Sequence, residues 1–558
     1  MQQLIECVPN FSEGNDLHII SQVTAEIEST EGVRLLNVDP GKATNRTVVT
    51  FVGTPEAVVE AAFRAIRKAG ELIDMSKHKG EHPRMGATDV CPLIPIANIS
   101  MEETARYAQQ LAERVGKELS IPVYLYEDAQ PNKERSNLSV IRAGEYEGFF
   151  KKIEEPQWKP DFGPAVFDAK RGGTVIGARD FLVAYNVNLN TTSTRRANAI
   201  AFDVREAGRV KKENGKPVKD ADGNNVVIPG SLKYVKAIGW FIEEYGIAQI
   251  SINLTNISKT PVHVAFDEVC RKADARGIRV TGSELVGLIP LKAMLDAGEY
   301  FLRKQQRSVG VSEQELIRIA VKSMGLDELG PFKPEERIIE YMLGNAADNK
   351  LVSMTLQSFA DETASESPAP GGGSIAAYAG ALGVSLATMV ANLSSHKPGW
   401  DERWEEFSDW AAKGQHYKSE LVKLVDADTR AFNKIMDAFG LPKSTDEEKA
   451  ARSKAIQEAT KYAIEIPFKV METAAASMEL VKAMAVTGNP NSVSDAGVGA
   501  LCIRSAVMGA FMNVRINAAS YSDKAYVADI VARGKAIEDR IIAEEAEILV
   551  IVNGKIGL

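Results

Sequence analysis

Two hydrophobic patterns divide the sequence near residue 335. Before this point, short runs rich in valine, isoleucine and leucine alternate with amphipathic stretches, whereas long segments of alanine, glutamate, lysine and methionine with a helical period follow it. Prolines support the same division, because 17 of the 23 lie in residues 1–350. The pattern predicts a multidomain protein in which an α+β part precedes an all-α, up-and-down helical bundle.

The part before residue 335 contains the order strand, helix, strand, strand, helix, strand twice. The first copy runs from a predicted strand at 3–9 to one at 88–95, and the second from a strand at 180–189 to one at 278–284. This βαββαβ order is typical of ferredoxin-like units, so we predict two α/β subdomains whose sheets face each other across a crevice. The predicted domains are residues 1–179 and 180–325, a Pro/Gly-containing linker at 326–336, and a helical domain at 337–558.

Charge and composition narrow the class of partner. The chain has 558 residues and a formal net charge of −9, from 66 Lys and Arg against 75 Asp and Glu, and the two signs are interspersed, which argues against a nucleic-acid partner. Four cysteines lie far apart, which favours reduced thiols, and no uninterrupted apolar run approaches a membrane span of about 20 residues. These features predict a cytoplasmic protein without a membrane partner.

The densest group of chemically active side chains in the first part is HKGEHPRMGATDVCPLIP at 78–95. His78 and His82 have the i, i+4 spacing of a metal pair, but Gly80 and Pro83 disfavour the helix that would bring them together, so no metal site is predicted. A histidine on a polar loop suits proton transfer, which makes His82 a candidate acid/base. The alternative is a surface loop in which Arg84 pairs with Glu81 or Asp89, and the residue types alone favour neither.

A second group is a glycine-rich turn before a predicted strand. Such a turn offers backbone N–H groups and cations together, which suits an anionic ligand, although the turn taken alone favours a solvated turn before an edge strand. Asn186 and Asn188 follow on that strand and are expected to share one face of the sheet. The residues of the turn are Gly163, Pro164, Ala165, Val166, Phe167, Asp168, Ala169, Lys170, Arg171 and Gly172.

In the helical part, a Pro/Gly loop leads into an Ala/Gly-rich helix. Gly371, Gly372, Gly373 and Ser374 stand at its start, with Ser374 as the predicted N-cap, and the free N–H groups there attract an anion. The small residues that follow also fit a tight helix-packing seam without a ligand. Asp495, at the start of another Gly/Ala-rich helix, is a second candidate that capping alone explains.

LVDADTRAFNKIMDAF at 424–439 contains the pair Asp426 and Asp428, which lie about 200° apart on a helix, so both cannot address one site equally. Asp428 interrupts a stripe of otherwise apolar side chains, where a carboxylate marks either a site or a buried partner. Asp426 does not lie on that stripe, whose apolar members are Leu421, Val425, Phe432, Ile435 and Phe439.

Three segments together carry a resemblance. VPNFSEG at 8–14, HKGEHPRMGATDVCP and GPAVFDAKRGGTVIGARDFLVAYNVNLNT resemble the formiminotransferase family, over about residues 1–325. The resemblance implies a folate-binding groove between two α/β subdomains and transfer of a formimino group from N-formimino-L-glutamate to N5 of tetrahydrofolate. The family's catalytic histidine falls on His82 and its folate-contacting loop on 163–172. Arg84, Lys170 and Arg171 are then expected to hold substrate carboxylates.

The GGGS turn, the Asp-Ala-Asp segment and NPNSVSDAGVGAL at 489–501 resemble the formiminotetrahydrofolate cyclodeaminase and methenyltetrahydrofolate cyclohydrolase family, over about residues 337–558. The resemblance implies closure of 5-formiminotetrahydrofolate to 5,10-methenyltetrahydrofolate with release of ammonia. A family aspartate matches this segment, and Asp426 and Asp428 both remain candidates for it. No prosthetic group is implied; tetrahydrofolate, polyglutamylated, is the expected cosubstrate.

Together the two resemblances imply a transferase and a lyase in one chain that feeds histidine-derived one-carbon units into the folate pool. They also imply a homo-oligomer built on helical-domain dimers. Three alternatives remain: a helical domain that acts as a cyclohydrolase, a helical domain that is a silent oligomerisation scaffold, and a folate store without turnover.

Overall fold

The computed structural model describes residues 3–41, 45–80, 83–343 and 350–557. Contacts divide the chain into two compact units. The first contains Met1–Ala293 and Met324–Leu343, and the second contains Met294–Ser323 and Gly344–Leu558. The second unit is therefore built from two separate stretches of chain, and the return segment Met324–Leu343 belongs to the first.

The first unit begins with a mixed sheet of seven strands. The strands are β1 (Leu4–Cys7), β2 (Asn10–Phe11), β3 (Val33–Gly41), β4 (Arg46–Gly53), β5 (Thr88–Ala97), β6 (Val123–Glu127) and β7 (Thr174–Ala178). The helices are α1 (Leu17–Glu28), α2 (Pro55–Leu72), α3 (Met101–Glu118), α4 (Leu138–Ile141) and α5 (Glu145–Lys152). Because β1 and β2 each pair antiparallel with both β4 and β5, they occupy one strand position, and the order across the sheet is β3, β4, β1/β2, β5, β7, β6.

Successive side chains of each strand point to opposite faces of this sheet, and helices cover both faces. Ile5, Cys7 and Phe51 are fully buried on the face that α1, α2 and α3 cover. Helix α3 begins with a capping box between Ser100 and Glu103, which satisfies backbone groups at its first turn. On the opposite face, Val90 of β5, Val175 of β7 and Tyr124 of the edge strand β6 pack against α4 and α5. The two short helices hold the loops between β5 and β7 against the sheet.

The same unit contains a second, four-stranded antiparallel sheet. Its elements are β8 (Val183–Leu189), α6 (Thr194–Val204), the short strands β9 (Arg209–Val210), β10 (Lys212–Glu213), β11 (Lys216–Pro217) and β12 (Val227–Ile228), then β13 (Val235–Ile242), β14 (Ile247–Leu254), α7 (Val262–Asp274) and β15 (Val280–Val286). The strand order is β13, β14, β8, β15, and β9 to β12 form two separate hairpins. Tyr185 and Val187 are buried in the core, whereas Asn186 and Asn188 lie on the other face.

The mixed α/β part is followed by helices of 4 to 42 residues. These are α8 (Leu291–Lys304), α9 (Glu313–Met324), α10 (Pro334–Arg337), α11 (Ile339–Leu343), α12 (Leu356–Thr363), α13 (Gly372–Ser395), α14 (Trp404–Gly440), α15 (Asp446–Thr487), α16 (Val493–Ala518) and α17 (Lys524–Ile556). Most of α8 and α9 belong to the second unit with α12 to α17. The expected class, mixed α/β domains followed by a helical region, is confirmed.

Small residues bring α13 and α16 close together in the core of the helical unit. A Cβ added at Gly383 would lie 2.8 Å from the carbonyl oxygen of Gly499, so no larger residue fits there. Helix α13 and the stretch Pro490–Ala518 are long and apolar enough to cross a membrane. The sequence did not predict them, because neither contains an uninterrupted apolar run of about 20 residues. The most apolar part of α13 is mostly buried inside the protein and that of the second stretch is half buried.

Candidate active sites

The loop between α2 and β5 contains His78 and Arg84, and the predicted catalytic His82 lies outside the described residues. Arg84 is almost fully buried, and its guanidinium binds Glu147 with two hydrogen bonds of 2.6 and 2.9 Å and Glu145 with one of 3.3 Å. The hydrogen bonds with Glu147 raise the pKa of Arg84 against the effect of burial, and they lower the pKa of Glu147. Arg84 thus already has carboxylate partners within the protein.

His78 connects this arginine to a neighbouring loop. Arg84 Nε donates to His78 Nδ1 at 3.2 Å, and His78 Nε2 lies 2.8 Å from the carbonyl oxygen of Asn45. Because Nδ1 accepts a hydrogen bond, the proton of the neutral ring must be on Nε2, which donates to Asn45. His78 is therefore held in one tautomer between two polar partners.

Asp89 is the structural carboxylate of this loop. It is fully buried, it accepts from the backbone N–H of Met85 at 3.0 Å, and Arg142 binds both of its oxygens. Arg46 lies 3.7 Å away. The alternative in which Arg84 pairs with Asp89 is therefore wrong, because two other arginines occupy that carboxylate; Glu81 lies outside the described residues.

The glycine-rich turn at 163–172 is exposed only in part. Gly163, Pro164, Ala165 and Val166 are exposed, whereas Phe167 packs among Tyr146, Phe149 and Phe150 at centroid distances of 5.6 to 6.2 Å. The hydroxyl of Tyr146 donates to the carbonyl oxygen of Ala169 at 2.5 Å. The aromatic contacts fix one end of the turn and leave the backbone of residues 163–166 accessible.

Both cations of the turn have partners within the protein. Lys170 Nζ donates to the carbonyl oxygen of Glu71 at 2.7 Å, and Arg171 Nη1 donates to that of Leu119 at 2.6 Å. Burial opposes ionisation of Asp168, but hydrogen bonds from the backbone and side chain of Arg171 outweigh it and lower the pKa of Asp168. These side chains hold the turn in place.

The structure brings the two loops of the first unit together. Gly86 and Gly172 form a β-bridge, and the N–H of Ala87 donates to the carbonyl oxygen of Arg171 at 2.8 Å. A Cβ at Gly172, where φ is +68°, would lie 2.2 Å from the carbonyl oxygen of Met85, so only glycine fits. Two loops that are 84 to 86 positions apart in sequence are therefore adjacent in the structure.

Asn186 and Asn188 belong to a hydrogen-bond network on the second sheet. Asn186 Nδ2 donates to Glu284 at 3.1 Å, Asn188 Nδ2 donates to Glu328 at 2.6 Å, and Asn188 Oδ1 accepts from Gln249 at 2.8 Å. Asn188 is fully buried and Asn186 is 6% exposed. Both amides thus form hydrogen bonds with other side chains of the protein, and they lie on one face of the sheet as expected.

Asp426 and Asp428 have different surroundings in α14. Asp426 is 5% exposed, and its two oxygens accept from the backbone N–H groups of Leu351 and Val352 at 2.8 and 3.2 Å. These bonds anchor the segment before α12 to α14. Asp426 is therefore a structural carboxylate whose acceptors are already used.

Asp428 is half buried beside the first turn of α13. Burial raises its pKa, and hydrogen bonds from the side chain and backbone N–H of Ser374 act in the opposite direction without cancelling the effect. Ser374 Oγ lies 3.2 Å from Asp428 Oδ2 and 2.8 Å from the carbonyl oxygen of Val425. This arrangement gives a carboxyl group that holds a proton more readily than an ordinary aspartate and still has a fixed direction.

The glycines of the turn explain this close approach. A Cβ at Gly373 would lie 2.1 Å from Asp428 Oδ1, so the carboxyl group fits only because this residue has no side chain. Helix α13 begins at Gly372 with Gly371 as its N-cap. The predicted N-cap role of Ser374 is therefore wrong: Ser374 is fully buried in the first turn and its hydroxyl contacts α14 instead.

One further expectation about the helical part is corrected, and Asp495 lies at a distance from Asp428. Leu421 and Val425 are buried, but Phe432 and Phe439 are 41% and 50% exposed, so the apolar stripe is buried only up to Asp428. Asp495 lies in the first turn of α16, whereas Asn513 near the other end of that helix borders Gly372. At about 1.5 Å per residue the two positions are roughly 27 Å apart, so Asp495 is not beside Asp428.

Comparisons with known proteins identify the family. A model of the formiminotransferase domain, N-terminal subdomain, matches residues 4–179, a model of the formiminotransferase domain matches 184–344, and a formiminotransferase-cyclodeaminase model matches 355–536. A formimidoyltransferase-cyclodeaminase of Gallus gallus is 46% identical over 527 residues, which cover 94% of each chain. The chain belongs to the formimidoyltransferase-cyclodeaminase family.

Parts of this family member also resemble shorter proteins. A glutamate formimidoyltransferase of Streptococcus pyogenes serotype M1 is 41% identical over 303 residues, which are 54% of this chain and 94% of that protein. A methenyltetrahydrofolate cyclohydrolase of Methylorubrum extorquens is 36% identical over 194 residues, which are 34% of this chain and 93% of that protein. Both predicted resemblances are thus confirmed.

Sequence reasoning missed several residues of this formimidoyltransferase-cyclodeaminase family member. Glu145 and Glu147 hold Arg84, and Asn513 borders the glycine turn, but no local motif distinguishes them. Glu6 is buried on β1, and burial raises its pKa to about 8 although Arg179 opposes this. The sequence signal for Glu6 was its position in LIECV, where an acidic residue stands among residues predicted to be buried. No group of three or more His, Cys, Asp or Glu side chains among the described residues is arranged to hold a metal ion.

Proposed function

We propose that this chain catalyses two consecutive reactions on folate, one in each unit. The first transfers the formimino group of N-formimino-L-glutamate to N5 of tetrahydrofolate. The second closes 5-formiminotetrahydrofolate to 5,10-methenyltetrahydrofolate and releases ammonia. The observation that carries the second assignment is Asp428, whose carboxyl group has a raised pKa and faces the first turn of α13. Tetrahydrofolate, probed best in its polyglutamylated form, is the cosubstrate.

Asp428 is the acid/base of ring closure in this proposal. N10 of the folate attacks the formimino carbon, a carboxylate accepts the proton that N10 loses, and the same group then gives a proton to the departing nitrogen, which leaves as ammonia. A carboxyl with a raised pKa can both accept and donate near neutrality. Asp426 is not assigned to this step, because two backbone N–H groups already use its oxygens.

His82 is the acid/base of formimino transfer in this proposal. Attack by N5 creates a tetrahedral centre, and the imidazole accepts the proton from N5 and returns one to the nitrogen of the departing glutamate. The accessible backbone of Gly163–Val166, joined to the His78–Asp89 loop by the Gly86–Gly172 bridge, supports folate binding here. Arg84, Lys170 and Arg171 hold the loops and contact substrate carboxylates only if they exchange their present partners.

Substitution of each aspartate tests the assignment of ring closure. Asp428→Asn keeps the size of the side chain and should abolish ammonia release while formimino transfer continues, whereas Asp426→Asn should retain ammonia release with a lower thermal stability. Ammonia is measured from chemically prepared 5-formiminotetrahydrofolate, and transfer is measured from formiminoglutamate. Normal ammonia release by Asp428→Asn would overturn the proposal and support a helical unit that acts only as a scaffold.

The similarity to a methenyltetrahydrofolate cyclohydrolase keeps a second candidate open for the helical unit. A cyclohydrolase adds water to the methenyl bridge and releases no ammonia. The two activities separate in one assay, because 5-formiminotetrahydrofolate yields ammonia only with a deaminase. Consumption of methenyltetrahydrofolate without any ammonia from the formimino compound would favour the second candidate.

The finer architecture and the assembly belong to the same proposal. Each sheet is a ferredoxin-like unit in this proposal, and the strand order of each supports that topology. The proposal also has the two sheets face each other around the folate groove, in domains 1–179 and 180–325, with 326–336 as the linker to 337–558, although contacts group Met294–Ser323 with the helical unit and Met324–Leu343 with the first. The chain acts in the cytoplasm as a homo-oligomer built on dimers of the helical unit. Exposed apolar side chains of α16 support the dimer, namely Val498, Leu501, Met512 and Ile516.

A further inference from the structure

A groove between α13 and α14 has no role in either proposed reaction. It has a volume of about 430 Å³, within the range of small-molecule sites. It lies in the half of α13 remote from Gly373, and the 15 residues from Gly373 to Thr388 correspond to roughly 22 Å along the helix. A ligand in the groove therefore does not occupy the site of Asp428. The residues that line the groove include Met389, Asn392, Leu393, His396, Gln415 and Lys418.

Lys418 supplies a half-buried cation to this groove. Its Nζ donates to Gln415 Oε1 at 2.7 Å, and burial lowers its pKa while Glu313 acts in the opposite direction. No carboxylate in the described parts of the chain forms an ion pair with Lys418 within 4.0 Å. An ammonium group has three N–H donors, and a neutral amide satisfies one of them. The remaining donors are suited to an anion that the protein does not itself provide.

Two amides fix the wall beside Lys418. Asn392 Nδ2 and Gln415 Nε2 both donate to the carbonyl oxygen of Gly310, at 2.7 and 3.0 Å. Because the amide nitrogen of Gln415 is engaged there, its oxygen is turned toward Lys418. The groove is thus built by three elements, α13, α14 and the loop that contains Gly310.

At the far end of the groove lies His396, which is close to the cation of Arg307. His396 Nε2 accepts from the N–H of Ser308 at 3.4 Å, so the neutral ring carries its proton on Nδ1 and remains a donor. Burial and the nearby Arg307 lower the pKa of His396, which shows that Arg307 is close enough to affect it. Arg307 also lowers the pKa of Glu315, so the two cations lie near two acids, Glu313 and Glu315, and of the two cations only Lys418 lines the groove.

Two exposed apolar side chains border the same groove. Met389 and Leu393 are 39% and 47% exposed and lie one helical turn apart. We propose that the groove binds a small organic carboxylate, with its anionic group on Lys418 Nζ and its hydrocarbon part on Met389 and Leu393. Binding here leaves Asp428 free and is independent of the two proposed activities.

Calorimetric titration of the full chain tests this proposal with glutarate as the probe. Glutarate should bind, whereas glutaramide, the neutral analogue of similar shape, should not. Lys418→Met should weaken binding by about tenfold or more, since it removes a charge-assisted hydrogen bond, and Lys418→Arg should bind within a few-fold of the unchanged chain. Lys423→Met is the matched control, because Lys423 is exposed on the same helix and pairs with Glu420 at 2.9 Å.

Three outcomes would overturn the proposal. They are the absence of measurable glutarate binding at 10 mM, equal binding of glutarate and glutaramide, and equal affinity in Lys418→Met and the unchanged chain. Thermal unfolding of each variant accompanies the titration; if Lys418→Met is unfolded, Leu393→Ser provides the second variant and should also weaken binding. Sulfate at the same concentration distinguishes a general anion site, in which case it binds as tightly as glutarate and the organic part of the proposal is wrong.

Discussion

Gly373→Ala is the most direct test of the geometry around Asp428. The added Cβ would lie 2.1 Å from Asp428 Oδ1, whereas ordinary contact begins at 3.4 Å. The carboxyl group must therefore move by about 1.3 Å, the difference of those two distances, or the turn must open by a similar amount. A displacement of about 1 Å at a reacting group costs roughly 100-fold in rate. We expect ring closure to fall by about that factor while formimino transfer is unchanged.

The assay is ammonia release from 5-formiminotetrahydrofolate at saturating concentration, with transfer measured in parallel on the same preparation. Gly509→Ala is the matched control, because a Cβ there would lie 3.5 Å from the Cβ of Ala376 and needs no adjustment. Its ring-closure rate should stay within a few-fold. Folding is checked by thermal unfolding, in which alanine inside a helix is favoured over glycine by about 1 kcal/mol. A folded Gly373→Ala protein that closes the ring at the normal rate would refute the placement of the reaction at Asp428.

Three other predictions concern the protonation of Glu6 and Asp428 and the assignment of one reaction to each unit. Glu6 keeps its proton in the folded chain up to about pH 8 but loses it near 4.5 when unfolded, so its burial costs stability progressively as pH rises through that window. Urea unfolding should show that Glu6→Gln removes this loss, and an unchanged pH dependence would contradict it. Burial also raises the pKa of Asp428, so the ionised form destabilises the native state above the ordinary aspartate range, and Asp428→Asn should increase the free energy of unfolding at pH 8. A decrease at pH 8 would show that the carboxylate is instead needed for stability. His82→Ala should lose formimino transfer by several orders of magnitude and retain ring closure; loss of both activities would show that the two reactions do not depend on separate groups.

Much of the fold followed from local patterns. The period of the hydrophobic residues distinguished strands from helices, and the order of elements in both sheets agrees with it, because β1 to β5 and β8 to β15 follow the predicted sequence of strands and helices. What local patterns did not give is the extent of burial along α14. Phe432 and Phe439 continue the apolar period and yet are exposed, because the part of α14 after Asp428 buries other positions, Ala431 and Ala438.

The candidate sites divide in the same way. The motifs selected the glycine turn, the two aspartates and the 78–95 loop, because glycine runs and carboxylates at a fixed spacing are visible in one segment. The partners of Arg84 were not predictable, since Glu145 and Glu147 are more than 60 positions away and have no distinguishing motif. The same holds for Lys170 and Arg171, whose hydrogen bonds to distant backbone carbonyls depend on how the loops fold over the sheet.

The sequence by itself determined the order of secondary structure, the family resemblance and a short list of reactive groups, because these depend on neighbours along the chain. Only the tertiary structure separated Asp426 from Asp428, which differ by two positions in one helix. Asp426 meets the backbone N–H of Leu351, 75 positions away, and Asp428 meets Ser374 and the space left by Gly373. A carboxyl group's protonation and availability depend on what surrounds it in space, and that is decided by packing between distant segments.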